Sequence, residues 1–343
     1  MDISRSLKAR ALEEGAAFAG IAPAESFPES SAYKKWIESG MHGGMDYMAR
    51  NQDSRENIAA WYPEAKSVLV CAFAYADNSP RGSGPGQGRV ARYAALRDYH
   101  PELKSRMTAI LDWIKARVPG ADGRIFVDTS PLLERLYARY AGLGWVGKNT
   151  MIISPEAGSY FFLAGLALNV EMEHDDPSTD HCGSCTRCIG ACPTQALSVD
   201  RVLDASRCIA YFTIEHKGAI PEAFRAQIGD WIMGCDICQE VCPWNRFANQ
   251  SPIFPAALPQ SLPLDEFTGM DKNSFQEKYG ETPLSRPKLK GLVRNALLAM
   301  GNSGEERHRP TLEKFAGGPD PVLSEQARWS LSRIAAPAAG ARE

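Results

Sequence analysis

Eight of the nine cysteines in this 343-residue chain fall between Cys182 and Cys242, and no other feature restricts the fold as tightly. The first four read Cys182-x2-Cys185-x2-Cys188-x3-Cys192-Pro193. The last three read Cys235-x2-Cys238-x3-Cys242-Pro243. A full repeat of the first group would put cysteine at position 232, where the chain has Ile232. Cys208, sixteen residues past Cys192, is the unassigned cysteine nearby. A segment built this way takes its shape from whatever the thiols hold, because ligand binding and folding are then one process.

The spacing is that of a bacterial two-cluster ferredoxin, in which three cysteines hold one [4Fe–4S] cube and the fourth crosses to the other. Under that crossing rule one cube takes Cys182, Cys185, Cys188 and Cys242. The second takes Cys192, Cys208, Cys235 and Cys238, and no thiol of the block is left over. Structural zinc is met by separated CxxC pairs and does not need the triple run or the Cys-Pro endings. A disulfide framework belongs to short secreted chains.

Above about 250–300 residues single cores stop growing, so this length implies two or three domains. Apolar residues make up 44% and charged residues 23%, the balance of a soluble globular protein rather than a disordered one. The net charge of −3 neither proposes nor excludes a polyanionic partner. The opening MDISRSLKARALEEGA has neither an apolar signal core nor a twin-arginine pattern. The longest apolar run, Tyr160 to Leu168, is far below the roughly 20 residues of a membrane span. Reduced cysteines without an export signal predict a cytoplasmic protein with no membrane partner.

Before the cysteines, helices and strands alternate, which predicts an α/β or α+β sandwich. A helix is expected over 3–14 behind Asp2 as N-cap, a strand over 18–22, and a helix from Ser30 or Ser31 through Trp36, ended at Gly40. KSVLVCAFAY, 66–75, reads as a buried strand with Cys71 in the core. The Gly- and Pro-rich 79–88 reads as a loop or lid, since it matches no phosphate-binding motif. An amphipathic helix over 101–116 presents Leu103, Met107, Ile110, Leu111 and Ile114 on one side. A strand over 124–127 leads to Asp128-Thr129-Ser130-Pro131, where proline after a hydroxyl residue predicts a helix start running to Ala141. Further strands are expected over 150–154 and 159–169.

Acidic, polar 171–180 marks a boundary. This divides the chain into an α/β domain (1–175), a ferredoxin-like domain (176–250) with a helix over 221–232, and a connector with a helical tail (251–343). The connector is Pro-rich over 251–264, and tail helices are expected over 288–300, 311–315 and 321–334. The tail reads as a short HEAT-type piece, too small to stand alone, so it should pack on the rest. About 170 residues precede the cysteines, more than an electron carrier needs, so a second redox centre or substrate site is expected there.

Several motifs together resemble the epoxyqueuosine reductases, cobalamin-dependent iron–sulfur enzymes of queuosine synthesis in transfer RNA. They are Arg92-Tyr93, Arg97-Asp98-Tyr99-His100, the run Val127 to Arg135 (VDTSPLLER), the run Ala141 to Thr150 (AGLGWVGKNT) and Gly158-Ser159-Tyr160. Tyr211 to Glu215 (YFTIE), Gly234 to Asn245 (GCDICQEVCPWN), Arg294-Asn295-Ala296 and Gly301-Asn302 complete the set. The displaced eighth cysteine, Cys208, belongs to the same pattern.

The resemblance implies cobalamin held between the first domain and the ferredoxin-like domain, base-off and with no protein imidazole on cobalt. One residue agrees: in the familiar signature D-x-H-x-x-G this chain has Leu103 in place of glycine, so His100 is a poor axial ligand. Asp128 matches the family's proton donor. Opening an epoxide to an alkene takes two electrons and two protons, and a carboxylic acid can supply a proton if burial raises its pKa. The bland alternative is that Asp128 merely caps a helix. Arg55, His100, Lys148, Asn149, Ser159, Tyr211, Thr213 and Asp236 match cofactor-pocket segments. Arg135 faces either Asp128 or the neighbours of Glu134.

The implied partners are transfer RNA, met at its anticodon loop, and a flavodoxin or ferredoxin as electron donor, with the chain acting as a monomer. Arg286, Lys288, Lys290, Arg294, Arg307, Arg309 and Lys314 in the tail suit phosphate contact. Two rival readings are a reductive dehalogenase-like oxidoreductase and an electron-transfer or cobalamin-handling protein without chemistry of its own.

Overall fold

A computed structural model of the chain describes residues 2–75, 82–248, 254 and 256–335. The first domain is built on a four-stranded sheet. In chain order it comprises α1 (Ile3–Glu13), β1 (Phe18–Pro23), α2 (Ser30–Glu38), α3 (Gln52–Glu56) and β2 (Ser67–Ala74). Then follow β3 (Gln87–Val90), α4 (Tyr99–Lys115), β4 (Gly123–Val127), α5 (Glu134–Tyr140), β5 (Trp145–Val146), β6 (Ile152–Ile153) and β7 (Phe161–Leu168). The sheet order is β1-β2-β7-β4 and every neighbouring pair is antiparallel. This settles the architecture as α+β.

All eight residues of β2 are buried because helices cover both faces of the sheet. Its alternation separates two cores. Leu69, Cys71 and Phe73 pack with Leu7 and Ala11 of α1 and with Leu103, Met107 and Ile110 of α4. Val68, Val70 and Ala72 pack with Phe27 and, from α5, Tyr137 and Ala138. Asp2 caps α1 by accepting from the Arg5 N–H, and Asp98 caps α4 in the same way from His100. Full burial of each large side chain contributes up to about 1.5–3 kcal/mol, so α4 is anchored mainly by its apolar stripe.

Three local expectations are corrected. The helix after β4 begins at Glu134, not Pro131, because residues 128–133 form an irregular turn. The expected strand over 150–154 is the second half of a short hairpin, β5 with β6. The helix expected over 221–232 ends at Ile228, where Gly229 takes φ 64°, and the chain re-enters as a strand.

The cysteine domain holds α6 (Arg187–Ala191), α7 (Ile209–Ile214), α8 (Glu222–Ile228), β8 (Trp231–Met233) and α9 (Ile237–Glu240). The tail holds β9 (Ser261–Pro263), α10 (Leu264–Gly269), α11 (Lys272–Tyr279), α12 (Lys288–Ser303), α13 (Arg309–Ala316) and α14 (Pro321–Ala335). Strands β8, β3 and β9 form a second sheet, β3 parallel to β8 and antiparallel to β9. Ile232, in the place of the absent cysteine, is thus a fully buried residue of the central contact between domains. The end of the expected 79–88 loop is β3, while its residues 79–81 lie outside the described set, as do 251–253 and 255 of the expected connector.

The tail helices do pack on the rest of the chain. Leu292, Ala296 and Met300 of α12 share a core with Val90, Ile232 and Met233. Asn295 donates to the carbonyls of Thr213 and Ile232 at 2.9 and 2.8 Å, and Asn302 donates to those of Arg225 and Gly229. Among the described residues no helix is long and apolar enough to cross a membrane.

Candidate active site

At the end of β4 the backbone reverses sharply. The Thr129 N–H closes on the Val127 carbonyl and Asp128 takes φ 47°. Aspartate enters this left-handed region more readily than most residues, at a cost of order 1–3 kcal/mol that surrounding contacts must offset. The turn brings the carboxylate to the N-terminus of α4, where His100 Nε2 lies 3.3 Å from Asp128 Oδ2. His100 Nδ1 lies 2.7 Å from Asp98 Oδ1, so both ring nitrogens are occupied by carboxylates. The imidazole stacks on Tyr99 at 4.2 Å, and Tyr99 stacks on Phe162 at 3.9 Å.

This arrangement fixes where the proton sits. The hydrogen bond His100 makes to Asp128 is the chief influence on the imidazole and raises its pKa; burial opposes, and Asp98 adds to the rise. Burial is the largest single influence on Asp128 and pushes its pKa up. The His100 contact, the Tyr99 hydroxyl and the Arg286 charge together outweigh it, and Asp128 lies below its ordinary range. The expectation that burial lifts Asp128 toward neutrality is therefore corrected, because hydrogen bonds from His100 and Tyr99 and the nearby positive charge favour the carboxylate. The side chain is nonetheless 60% accessible. Strong desolvation with open access describes the floor of a cleft.

Other groups line that cleft. Glu134, first residue of α5, is pushed up to about 8, by burial first and by the Asp128 charge second. Arg135, Arg55 and the Asp128 backbone N–H act in the opposite direction. Its Oε1 is buried with no hydrogen-bond partner among the described residues, and so is Arg55 Nε. Arg135 Nη1 donates to the Thr150 carbonyl at 2.9 Å. The side chain is exposed, and its charge interacts with Glu134, Asp128 and Cys238, linking the cleft to a thiol of the cysteine domain. From the other side come Tyr47, which is 40% exposed, and Arg286, which pairs with Glu215 at 3.0 Å and lies over the Tyr47 ring. The Asp128 charge reaches Tyr47, Tyr93 and Tyr99. All three regions of the chain thus meet at Asp128.

None of the nine cysteines is in a disulfide; Cys71 is buried, and the other eight are partly exposed. Burial raises Cys242, Cys188, Cys208, Cys235 and Cys238; backbone N–H groups oppose it at all but Cys238, and the charge of neighbouring thiols adds to the rise. Cys242 responds to Cys182 and Cys185, and Cys188 to Cys182 and Cys242. Cys208 responds to Cys192, Cys235 to Cys208 and Cys238, and Cys238 to Cys208, Cys188 and Cys192. Among the described residues no three His, Cys, Asp or Glu side chains converge as a single ion requires. Four thiolates around a cube are spread over a larger body. Trp145 Nε1 donates to Cys182 Sγ at 3.4 Å, and the Trp145 ring meets Trp244 edge-on.

The other residues singled out from the sequence separate into two kinds. Arg55 and His100 stand at the cleft. Lys148 pairs with Asp200 at 3.0 Å, and Asn149 donates to the Cys238 carbonyl. Ser159, Thr213 and Asp236 are buried and committed to protein partners. Ser159 is held by Asn245 and Gln239, Thr213 accepts from the Gly234 N–H, and Asp236 accepts from the Arg92 N–H at 2.7 Å. Gly158 beside Ser159 has φ 67°, and a Cβ there would lie 2.2 Å from Asn245 Oδ1, so the seam requires glycine. The Tyr211 hydroxyl accepts from the Gly44 N–H at 2.7 Å, tying the Tyr47 loop to α7.

The basic tail is corrected in part. Arg294 is 1% exposed and donates to the carbonyls of His216, Gly218 and Phe212 as well as to Asn295, which removes it from any phosphate surface. Lys290, Arg307 and Arg309 each pair with an acidic neighbour. Tyr47 and Glu134 were not singled out from sequence as site residues. Glu134 lies inside a motif, whereas the approach of Tyr47 to Asp128 leaves no local signal.

Comparison with known proteins agrees with this architecture. A family model described as "4Fe-4S double cluster binding domain" matches residues 181–245. A second, "Epoxyqueuosine reductase QueG, DUF1730", matches residues 55–129. The epoxyqueuosine reductase of Xanthomonas campestris pv. campestris is 37% identical over 341 residues, covering 97% of this chain and 96% of the relative. That of Pseudomonas aeruginosa is 36% identical over 342 residues, covering 96% and 94%. Among solved structures, an epoxyqueuosine reductase with an epoxyqueuosine-modified tRNA-Tyr stem loop matches with TM-score 0.88 at 31% identity, covering 97% of this chain and 90% of that one. The Bacillus subtilis enzyme, with an aspartate catalytic loop swung out of the active site, matches with TM-score 0.87 at 30% identity over the same shares. With a double-cluster domain on one side of the cleft, an aspartate turn on the other and relatives alike over nearly their whole length, the chain belongs to the epoxyqueuosine reductase family.

Proposed function

We propose that this chain reduces the epoxide of epoxyqueuosine in transfer RNA to the alkene of queuosine, with Asp128 delivering a proton to the departing oxygen. The observation that carries the reading is the position of Asp128, accessible on the floor of a cleft whose charges reach Cys238 through Arg135. Epoxide opening needs electrons and a proton at one place. The proton on the His100–Asp128 pair can pass to substrate from Asp128, while Asp98 holds the imidazole in register. Relatives agree: one was solved with a modified stem loop, another with its aspartate loop swung out of the active site.

In this reading one cube is held by Cys182, Cys185, Cys188 and Cys242 and the other by Cys192, Cys208, Cys235 and Cys238. Apart from Cys238, which also responds to Cys188, the influences among the thiols run within each set, which supports that division. Thiolates this close need positive charge between them, which iron supplies. The cleft also fits cobalamin. It has a buried polar atom without a partner among the described residues, Arg55 Nε, for a polar-edged macrocycle to engage. His100 has no free nitrogen, in keeping with a base-off cofactor lacking a protein imidazole. Arg55, His100, Lys148, Asn149, Ser159, Tyr211, Thr213 and Asp236 would hold it or shape its walls. When bound, it supplies a strongly reducing cobalt centre for two-electron opening of the epoxide.

A flavodoxin or ferredoxin would feed the cubes, and the chain would work as a cytoplasmic monomer whose helical tail, a short HEAT-like piece, lies beside the substrate. The experiment is Asp128→Asn, which keeps the shape of the side chain and removes the acid. Reconstituted variant protein should retain iron and corrin content and lose ~10²–10⁴-fold in turnover of an epoxyqueuosine stem loop. Near-normal turnover would remove Asp128 from the chemistry.

A further inference from the structure

The reaction consumes two protons, and the His100–Asp128 pair accounts for one of them. We propose that Glu134 holds the second and returns it to the cleft once Asp128 has delivered the first. This inference rests on the epoxide-reduction reading and names a further residue of the same site.

The geometry carries it. Glu134 opens α5 immediately after the Asp128 turn, and its carboxyl is set against the Asp128 backbone N–H. Its Oε1 is buried and unpartnered among the described residues, an expensive state for a carboxylate and a tolerable one for a carboxylic acid. The groups facing it are Asp128 on the turn, Arg135 on α5 itself, Arg55 on α3 and Tyr99 on α4. Arg135 and Arg55 favour its ionised form; burial and the Asp128 charge oppose them and prevail, with the carboxyl pushed up to about 8. Near neutral pH Glu134 is therefore the protonated carboxyl of this cleft, and Asp128 the ionised one.

The balance closes. The substrate epoxide takes two electrons from a low-potential one-electron donor acting through the cubes. Both carbon–oxygen bonds break, a carbon–carbon double bond forms, and the oxygen leaves as water. Asp128 passes on the first proton, drawn from His100. Glu134 supplies the second, directly or by recharging Asp128, and both groups are reprotonated from solvent through the open cleft.

The test compares wild type with Glu134→Gln and Glu134→Asp, each reconstituted with clusters and cobalamin, using two readouts. In infrared spectra at neutral pH the wild type should show a protonated carboxyl band that fades as pH passes about 8. Glu134→Gln should lack it. In single turnovers on an epoxyqueuosine stem loop, Glu134→Gln should be at least about ten-fold slower and lose the component of the wild-type fall centred near pH 8, keeping only the fall set by His100. Glu134→Asp, which keeps an acid at the position, should retain an alkaline fall. An unchanged band, or an unchanged rate and pH profile in Glu134→Gln, overturns the assignment while leaving the epoxide reading intact. A wild type that shows the band but leaves the epoxide untouched overturns the functional reading, and the catalytic use of this proton with it.

Discussion

His100 and Asp128 share one proton between two groups whose ordinary pKa values lie apart, and the structure widens that gap. Because the folded pKa of His100 is raised, chiefly by Asp128, its stabilising effect is complete below its unfolded value of ~6.5. The effect is lost as pH rises through the raised folded value. His100→Gln should therefore lower the thermal unfolding midpoint near pH 5.5 and have a diminishing effect by pH 9; a pH-independent difference would show that the imidazole acts by packing alone. At this scale the chain could be read only in part. Asp128 stood out because it follows a strand in a motif. Its ionisation did not, because His100, Tyr99 and Arg286 come from places 28, 29 and 158 residues away. Spacing registers a carboxylate, but not the charges that the fold brings to it.

Elements with one strong local pattern were legible: α4 with its apolar stripe, β2 with its uninterrupted burial, and the tail helices α12 to α14. The second sheet was not. Its strands β3, β8 and β9 are four, three and three residues long and come from three distant segments, so long-range pairing rather than periodicity defines them. Pro131 misled for a related reason: the tight turn at Asp128 delays the helix to Glu134. Helix α12 holds this region together by satisfying carbonyls of the cluster domain. Asn295→Ala strands those of Thr213 and Ile232, each costing about 1–3 kcal/mol. Apoprotein and cluster-loaded protein should both unfold at lower denaturant concentration, by about 2–6 kcal/mol. A loss under about 0.5 kcal/mol would mean that water replaces the amide.

Across the whole molecule the three regions are stages in one delivery. In the proposed reaction the cysteine domain would receive electrons and the first domain would supply a proton through Asp128, while the tail places Arg286 within reach of the Asp128 charge. The cysteine spacing made the first stage readable from the chain, and the motifs before it made the second readable. The third was misread in part, since Arg294 looked like a phosphate ligand and is a buried brace between helices. One measurement bears most directly on this division of labour. Anaerobic wild-type protein, loaded with clusters and cobalamin and reduced by dithionite, is mixed with an epoxyqueuosine stem loop, and the digested nucleosides are weighed by mass spectrometry. The account predicts a product lighter by one oxygen atom, formed only when the clusters are present. Unchanged epoxide in protein with full iron and corrin content would contradict it.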